Sequence, residues 1–499
     1  MSGSSARESD TFADQLAAGL AGYGPRPFIE FERTWYTGND IAVLISAIED
    51  TLRRGGVLPG EPVALVVRNR IAHAAAVLGF IATQRPVSMI YSYQSETAIA
   101  ADIRDVRPAA LLADPVDLGV RVLDAVREVG GVAVELNPQG PVPRSGPRTS
   151  PGPSEHSPSG FGISMLTSGT TGPPKRISIP TAVLAHTVSS MTLGQSRSSD
   201  DPPTLAFWPF GSVGVCQLLA GAFAGQRIVL LEKFSVDEWV RSVKEYRIQW
   251  TGVAPAVVRM LLAADVPKAD LASLSYLPGG GGPLEPGLQH QFERTYGIPL
   301  LWGYGATEFA GTVCSWTPEL RERFGDSKPG TVGRSLPGVQ VRILDPDTGR
   351  PVTSGRRGYL AARVDALGPD WITTTDIASV DDDGFVTIHG RGDGAINRGG
   401  FKVLPERVCQ VLLTHPAVYD ACVVAVPHPR LGEVPFAAVE PNRALPAPGE
   451  QELKDLVRES LPAQYVPVAM VILDELPRNA AMKIRVDAVA ALYRPHSPC

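Results

Sequence analysis

The chain is expected to be an α/β protein: a large N-terminal domain of α/β sheets plus a small β unit, followed by a smaller, mobile α+β domain. Three observations predict this. Short apolar runs alternate with amphipathic stretches, the pattern of a parallel sheet with crossover helices. Hydrophobic residues make up 44% and charged residues 20%, ordinary for a globular protein. At 499 residues the chain is too long for one simple core. From Ile41 to Leu58 apolar positions recur at helical spacing, and after Gly60-Glu61 the run Pro62 to Val67 reads as a buried strand. Ile71 to Ala82 reads as helix, Val87 to Ile90 and Ala109 to Ala113 as strands. Residues 137–160 are dominated by Pro, Gly and Ser and are expected to be a flexible connector. Strands are then expected at Thr204 to Phe207, Arg227 to Leu231 and Trp250 to Val253, with helices at Val236 to Tyr246 and Ala256 to Ala263.

Past Trp316 the texture changes. Val339 to Leu344 and Gly358 to Arg363 are strands with Gly turns, suggesting a small β unit. The last part predicts a helix at Glu406 to Leu413, strands at Val418 to Val426 and Phe436 to Glu440, a helix at Gln451 to Ser460 and a strand at Met470 to Leu473. The expected division is 1–390 and 391–499, at the glycine-rich stretch Gly390 to Gly394. Consecutive acids at Asp381 to Asp383 before Gly384 read as a solvated turn.

A net charge of −6 gives no general attraction to nucleic acid or anionic membrane, so any phosphate site must be local. The polar start lacks a signal-peptide core and no run approaches the ~20 apolar residues of a membrane span, so a cytoplasmic location is expected. Five scattered cysteines show no disulfide framework and no zinc-ligand spacing. Oligomeric state is not legible.

The loop Leu166-Thr167-Ser168-Gly169-Thr170-Thr171-Gly172-Pro173-Pro174-Lys175 carries the most chemistry. Its glycines let the backbone approach anionic oxygens, its hydroxyls and N–H groups donate, and Lys175 supplies a point charge. It lacks the Walker A spacing, and taken alone it also reads as a solvated turn.

It is not alone. Leu277-Pro278-Gly279-Gly280-Gly281-Gly282-Pro283-Leu284, Gly303-Tyr304-Gly305-Ala306-Thr307-Glu308, Gly330-Thr331-Val332-Gly333-Arg334, Thr374-Thr375-Asp376, Gly390-Arg391-Gly392-Asp393 and Leu476 to Lys483 follow in order. Together with the loop, these segments resemble the adenylate-forming superfamily of acyl-CoA synthetases, aryl-CoA ligases, adenylation domains and luciferases. The resemblance runs from about residue 45 onward. It implies ATP and Mg²⁺ as cofactors, small-molecule acid and acceptor as partners, and CoA as a candidate co-substrate.

By that resemblance, Thr167, Ser168, Gly169, Thr170, Thr171, Gly172 and Lys175 hold the β and γ phosphates, and Gly303 and Tyr304 join the nucleotide site. Thr307 bonds the α-phosphate, and Glu308 helps bind Mg²⁺, a hard cation that prefers carboxylate oxygen. Asp376 accepts the ribose hydroxyls, and Arg391 donates to the same ribose. Lys483 bridges acyl and phosphate oxygens in the chemical step, although Ala481-Met482 replaces the familiar Ser-Gly before it. Asp393 is the hinge between flexible glycines. Lys402 either faces the site in a second domain orientation or is a surface lysine.

For the substrate, the family's gating aromatic or histidine falls on Gly211, and Gly281 replaces a common alanine. Both read as making room. Trp208, Phe210, Trp302 and Tyr304 with Gly280, Gly281 and Gly305 would bound a flat apolar slot, or the aromatics are simply core. The expected function is an ATP-dependent, AMP-forming ligase that adenylates a small aromatic carboxylic acid and passes it to a second nucleophile, CoA first. The alternatives are a diazotase that activates nitrite to convert an aryl amine to a diazo compound, and a non-catalytic nucleotide-binding protein.

Overall fold

The computed structural model describes residues 5–148, 162–167, 175–192, 201–211, 214–282, 284, 286–309, 311–392, 394–443, 445–477 and 484–494. Its largest sheet has seven strands, in the order Val142–Pro143, Val132–Glu135, Ala110–Ala113, Val63–Val67, Val87–Tyr91, Gly162–Thr167, Lys175–Pro180. The five inner strands are parallel and the two outermost pair antiparallel. Val63–Val67 is buried at every position, as a parallel strand covered on both faces must be. Helix Ile71–Ala82 lies in the same core and is buried over almost its whole length.

This sheet sets the site, because the parallel strands all end at one edge. There Val67 leads into Arg68-Asn69-Arg70, Tyr91 into Ser92-Tyr93, and Thr167 into the phosphate-loop segment. Ligands of open α/β sheets sit beyond these carboxyl ends. Across the loop, Thr167 pairs with Lys175 in an antiparallel hairpin. The next residue, Arg176, pins the hairpin through an ion pair with buried Asp102 and a bond to the Met89 carbonyl (3.2 Å).

Two expectations need correction. The start of the stretch 137–160 is not a free connector: Val142–Pro143 adds a strand beside Val132–Glu135, Arg144 N–H donates to Ala133 O (2.9 Å), and Arg148 pairs with Glu61 (2.9 Å). Composition hid these long-range partners, while residues 149–161 lie outside the described residues. Trp250 to Val253 is not a strand either, since only Val253 bridges, to Gly279. Helix Ser5–Tyr23 went unforeseen because its polar start masks an apolar stripe; buried Leu16 and the Phe12–Phe223 stack (5.4 Å) fix it to helix Gly214–Phe223.

A second sheet joins Thr204–Ala206, Ile228–Leu230, Pro27–Phe31 and Thr34–Thr37. A third joins Leu277–Gly279, Leu300–Ala306, Gly311–Ser315 and Arg334–Ser335. The small β unit is the meander Val339–Leu344, Gly358–Val364, Ile372–Val380, Val386–Arg391. In its acidic turn Lys328 binds Asp381 (2.8 Å) and Asp383 (2.5 Å). From Ile396 onward the chain builds its own sheet and two hydrophobic clusters. The architecture is therefore mixed α/β with a large N-terminal domain and a small C-terminal one. None of the four described cysteines forms a disulfide, and burial pushes Cys216, Cys314 and Cys409 up to about 12. Among the described residues no helix is long and apolar enough to cross a membrane.

Candidate active site

Tyr304 lies near the end of strand Leu300–Ala306, and its hydroxyl donates to Asp376 Oδ2 at 2.5 Å. Asp376 is only 6% exposed, on strand Ile372–Val380. Its backbone faces Arg391 across the antiparallel hairpin Asp376↔Arg391, so two residues expected at one ribose share a register position. Burial and the adjacent Asp376 carboxylate push the Tyr304 phenol far above its usual range, so it stays a neutral donor. Glu308 is exposed on the turn Thr307–Phe309, close enough for its charge to be felt at Tyr304. Gly303 and Gly305 belong to the same strand. Added Cβ atoms there would lie 3.0 Å from Cys314 O and 2.3 Å from Gly311 O, so close backbone pairing accounts for both glycines.

The slot differs from the expectation at four positions. Phe210 is 1% exposed in the main core, and Trp302, 3% exposed, lies against Gly279 with its Nε1 donating to Gly282 O (2.9 Å). Both are buried core residues, and aromatic composition does not reveal which way a side chain points. Gly211 opens no gap. A Cβ there would lie 2.2 Å from Tyr91 Cε1 and 3.1 Å from Val67 Cγ2, so the Tyr91 ring already fills the space. Gly281 has φ +75°, a left-handed conformation that explains the glycine without any need for room.

What remains is a run of contacts. Trp208 Cη2 stands 3.4 Å from the Cβ position of Gly281, and a Cβ on Gly400 would lie 3.0 Å from Gly281 O. Phe401 meets Tyr93 edge to face (5.8 Å, 72°), Tyr93 stacks on Tyr91 (5.0 Å, 20°), and Tyr91 covers Gly211, three residues after Trp208. Gly280 sits beside Gly281 in the same wall. Sequence reading missed Tyr91, Tyr93 and Phe401; their aromatic character at a strand end was the available signal. Lys402, next to Phe401, is in strand Phe401–Val403.

Asn69 was also missed, and it holds the wall in place. Its amide donates to Trp208 O (2.9 Å) and Leu231 O (3.3 Å), and its carbonyl accepts from Phe210 N–H (3.0 Å). The flanking arginines lock the same turn: Arg68 binds Asp117 (2.7 Å), and Arg70 binds Asp114 and Glu232 (2.9 Å). Asn69→Ala should strand buried backbone groups at roughly 1–3 kcal/mol each. The expected result is a lower melting temperature together with a raised KM for the activated acid, Asn69→Asp falling between the two. An alanine variant with both values at wild type would remove Asn69 from this role.

Of the remaining expected residues, Ser168, Gly169, Thr170, Thr171, Gly172, Asp393 and Lys483 lie outside the described residues. Thr167, Lys175, Thr307 and Arg391 are placed by their backbones: the first two across the loop, the others beside Glu308 and Asp376. The strand ends flanking residues 168–174 lie at the sheet's carboxyl edge, and Asp376 is a buried carboxylate that already accepts from a hydroxyl. Among the described residues no group of three or more His, Cys, Asp or Glu could hold a metal ion, and Glu308 is the exposed carboxylate expected to help bind Mg²⁺.

Residues 16–368 match the family of AMP-binding enzymes, and residues 408–483 match the AMP-binding enzyme C-terminal domain. The chain belongs to the AMP-binding enzyme family. Among relatives of this AMP-binding enzyme, the 2-succinylbenzoate–CoA ligase of Bacillus pumilus is 28% identical over 488 residues, covering 91% of this chain and 92% of that one. Luciferin 4-monooxygenase of Photinus pyralis is 28% identical over 346 residues, covering 64% and 61%. The amide bond synthetase McbA of Marinactinospora thermotolerans has a similar structure, with TM-score 0.83, 25% identity, and 97% and 99% of the two chains covered. This AMP-binding enzyme is accordingly an AMP-forming ligase with ATP and Mg²⁺ as cofactors, which sets aside the non-catalytic reading. When bound, the metal supplies positive charge to the phosphates.

Proposed function

We propose that this ligase adenylates a small aromatic carboxylic acid and hands the acyl group to CoA. The observation that carries the reading is the run of aromatic contacts beside the glycine-rich segment, with Trp208 against Gly281, Phe401 against Tyr93 and Tyr93 against Tyr91. Flat rings suit walls of aromatic faces and bare backbone. In the first half-reaction a carboxylate oxygen attacks the α-phosphorus, and the bond to pyrophosphate breaks. Charge grows on the phosphoryl oxygens, where Lys175, Thr307 and Lys483 act in this reading as donors. Asp376 and Arg391 hold the ribose, and Asp393 is the hinge between domain orientations, with the division at 390. The name of the Bacillus pumilus relative, a succinylbenzoate–CoA ligase, supports both the aromatic acid and CoA.

A second reading keeps the same first step and transfers the acyl group to an amine. It is supported by the likeness to an amide bond synthetase along almost the whole chain. Activation of nitrite has no observation of its own in the site. The test incubates aromatic and amino-substituted aromatic acids with ATP and Mg²⁺, adds CoA, an amine or nitrite separately, and identifies products by mass. A CoA thioester is expected. An amide without thioester would establish the second reading instead, and nitrite-dependent loss of the aryl amine would overturn both.

A further inference from the structure

The hairpin Ile396–Arg398 to Phe401–Val403 is stiffened from within the C-terminal domain. Arg398 Nη1 donates to Gln464 O (2.8 Å) and Val466 O (3.0 Å), Gly399 N–H donates to Leu431 O (2.8 Å), and Gly400 N–H donates to Asn397 Oδ1 (3.0 Å). Gly399 and Gly400 have φ +59° and +94°, a tight turn that other residues would strain to make. Its effect is to aim Phe401 away from its own domain and onto Tyr93 of the N-terminal one (5.8 Å, 72°). Tyr93 cannot yield easily, because Tyr91 stacks behind it and Tyr91 is wedged over Gly211. A rigid tip therefore meets a backed ring.

An acyl adenylate is a mixed anhydride, and water competes for it. In productive transfer the nucleophile bonds to the acyl carbon, the carbon–oxygen bond to phosphate breaks, and AMP leaves with the electron pair. If water attacks the same carbon, the same bond breaks and the acid is returned with AMP, so ATP is spent for nothing. Closing an apolar site suppresses such side reactions. The Phe401–Tyr93 contact is the one place in this run of contacts where two side chains from different domains meet, so it is where that closure can be made or lost.

We infer that Phe401 and Tyr93 form an interdomain aromatic seal over the activated acyl group, whose function is to exclude water while the acceptor reacts. The inference rests on the acid-activating reading above and adds a role for two residues in partitioning its intermediate.

The test measures AMP released per molecule of transfer product in wild type, Phe401→Ala, Phe401→Leu, Tyr93→Ala, Tyr93→Phe and the double alanine variant, with pyrophosphate exchange and melting temperature in parallel. A leaking seal raises AMP per product about fivefold or more in each alanine variant. The double variant should be no leakier than the worse single one, because the two rings form one contact. Tyr93→Phe, which keeps the ring, and Phe401→Leu, which keeps apolar bulk if alanine disturbs folding, should stay nearer wild type. A merely structural role would lower exchange and transfer together and leave the ratio alone. The inference is overturned if the ratio is at wild type in both alanine variants, or if Tyr93→Phe leaks as much as Tyr93→Ala. If no aromatic acid drives exchange, the aromatic reading fails by itself, and the ratio is measured with whichever acid does.

Discussion

Replacing Lys483 by alanine is expected to lower ATP–pyrophosphate exchange about 10²–10³-fold, or ~2.7–4 kcal/mol, the loss seen when one donor to a developing oxyanion is removed. ATP affinity should stay close to wild type, because the ammonium acts on charge that grows in the transition state and is small in the ground state. Lys483 itself lies outside the described residues, but both flanks of its segment are held. Leu476 N–H donates to Glu440 (3.0 Å), and Arg485 N–H closes the segment on Pro477 O (2.8 Å). Unchanged exchange in a folded variant would reduce Lys483 to a surface residue.

Asp376→Ala should weaken ATP binding by about 1.5–3 kcal/mol, the range for hydrogen bonds to a charged group, which is roughly 10–150-fold in Kd. The structure adds a second consequence. Tyr304 loses the carboxylate its hydroxyl now donates to, so the strand carrying the Glu308 turn loses a tether. Tyr304→Phe removes only a neutral donor and should cost less than the loss of the carboxylate. Calorimetric ATP affinity at wild type for Asp376→Ala would contradict the ribose assignment.

How much could be read from the sequence depended on how local the cause was. Val63–Val67 and Ile71–Ala82 were legible because burial periodicity is written in adjacent residues. Asp376 and Arg391 were read as motif residues, and the hairpin register sets them opposite one another. Gly211 misled for the opposite reason. A missing side chain is visible in sequence, but the ring that fills its place comes from Tyr91, on another strand. Trp302 and Phe210 were misplaced because apolar residues beside a site and apolar residues under it look alike until side-chain direction is known. Asn69 gave no signal at all, since a single polar residue after a strand reads as a turn. Its bonds to Trp208 and Phe210 exist only once two distant segments meet.

The central claim is that the slot activates an aromatic carboxylic acid, and acid-dependent exchange of labelled pyrophosphate into ATP tests it most directly. It reports the first half-reaction alone, whatever the acceptor. The enzyme with ATP and Mg²⁺ is predicted to exchange label when a benzoate-type acid is added, and to do so less well with aliphatic acids of similar length. Tyr91→Ala should relax that preference, because it removes the ring that fills the wall beside Gly211. Exchange driven by aliphatic acids and indifferent to aromatic ones would contradict the account.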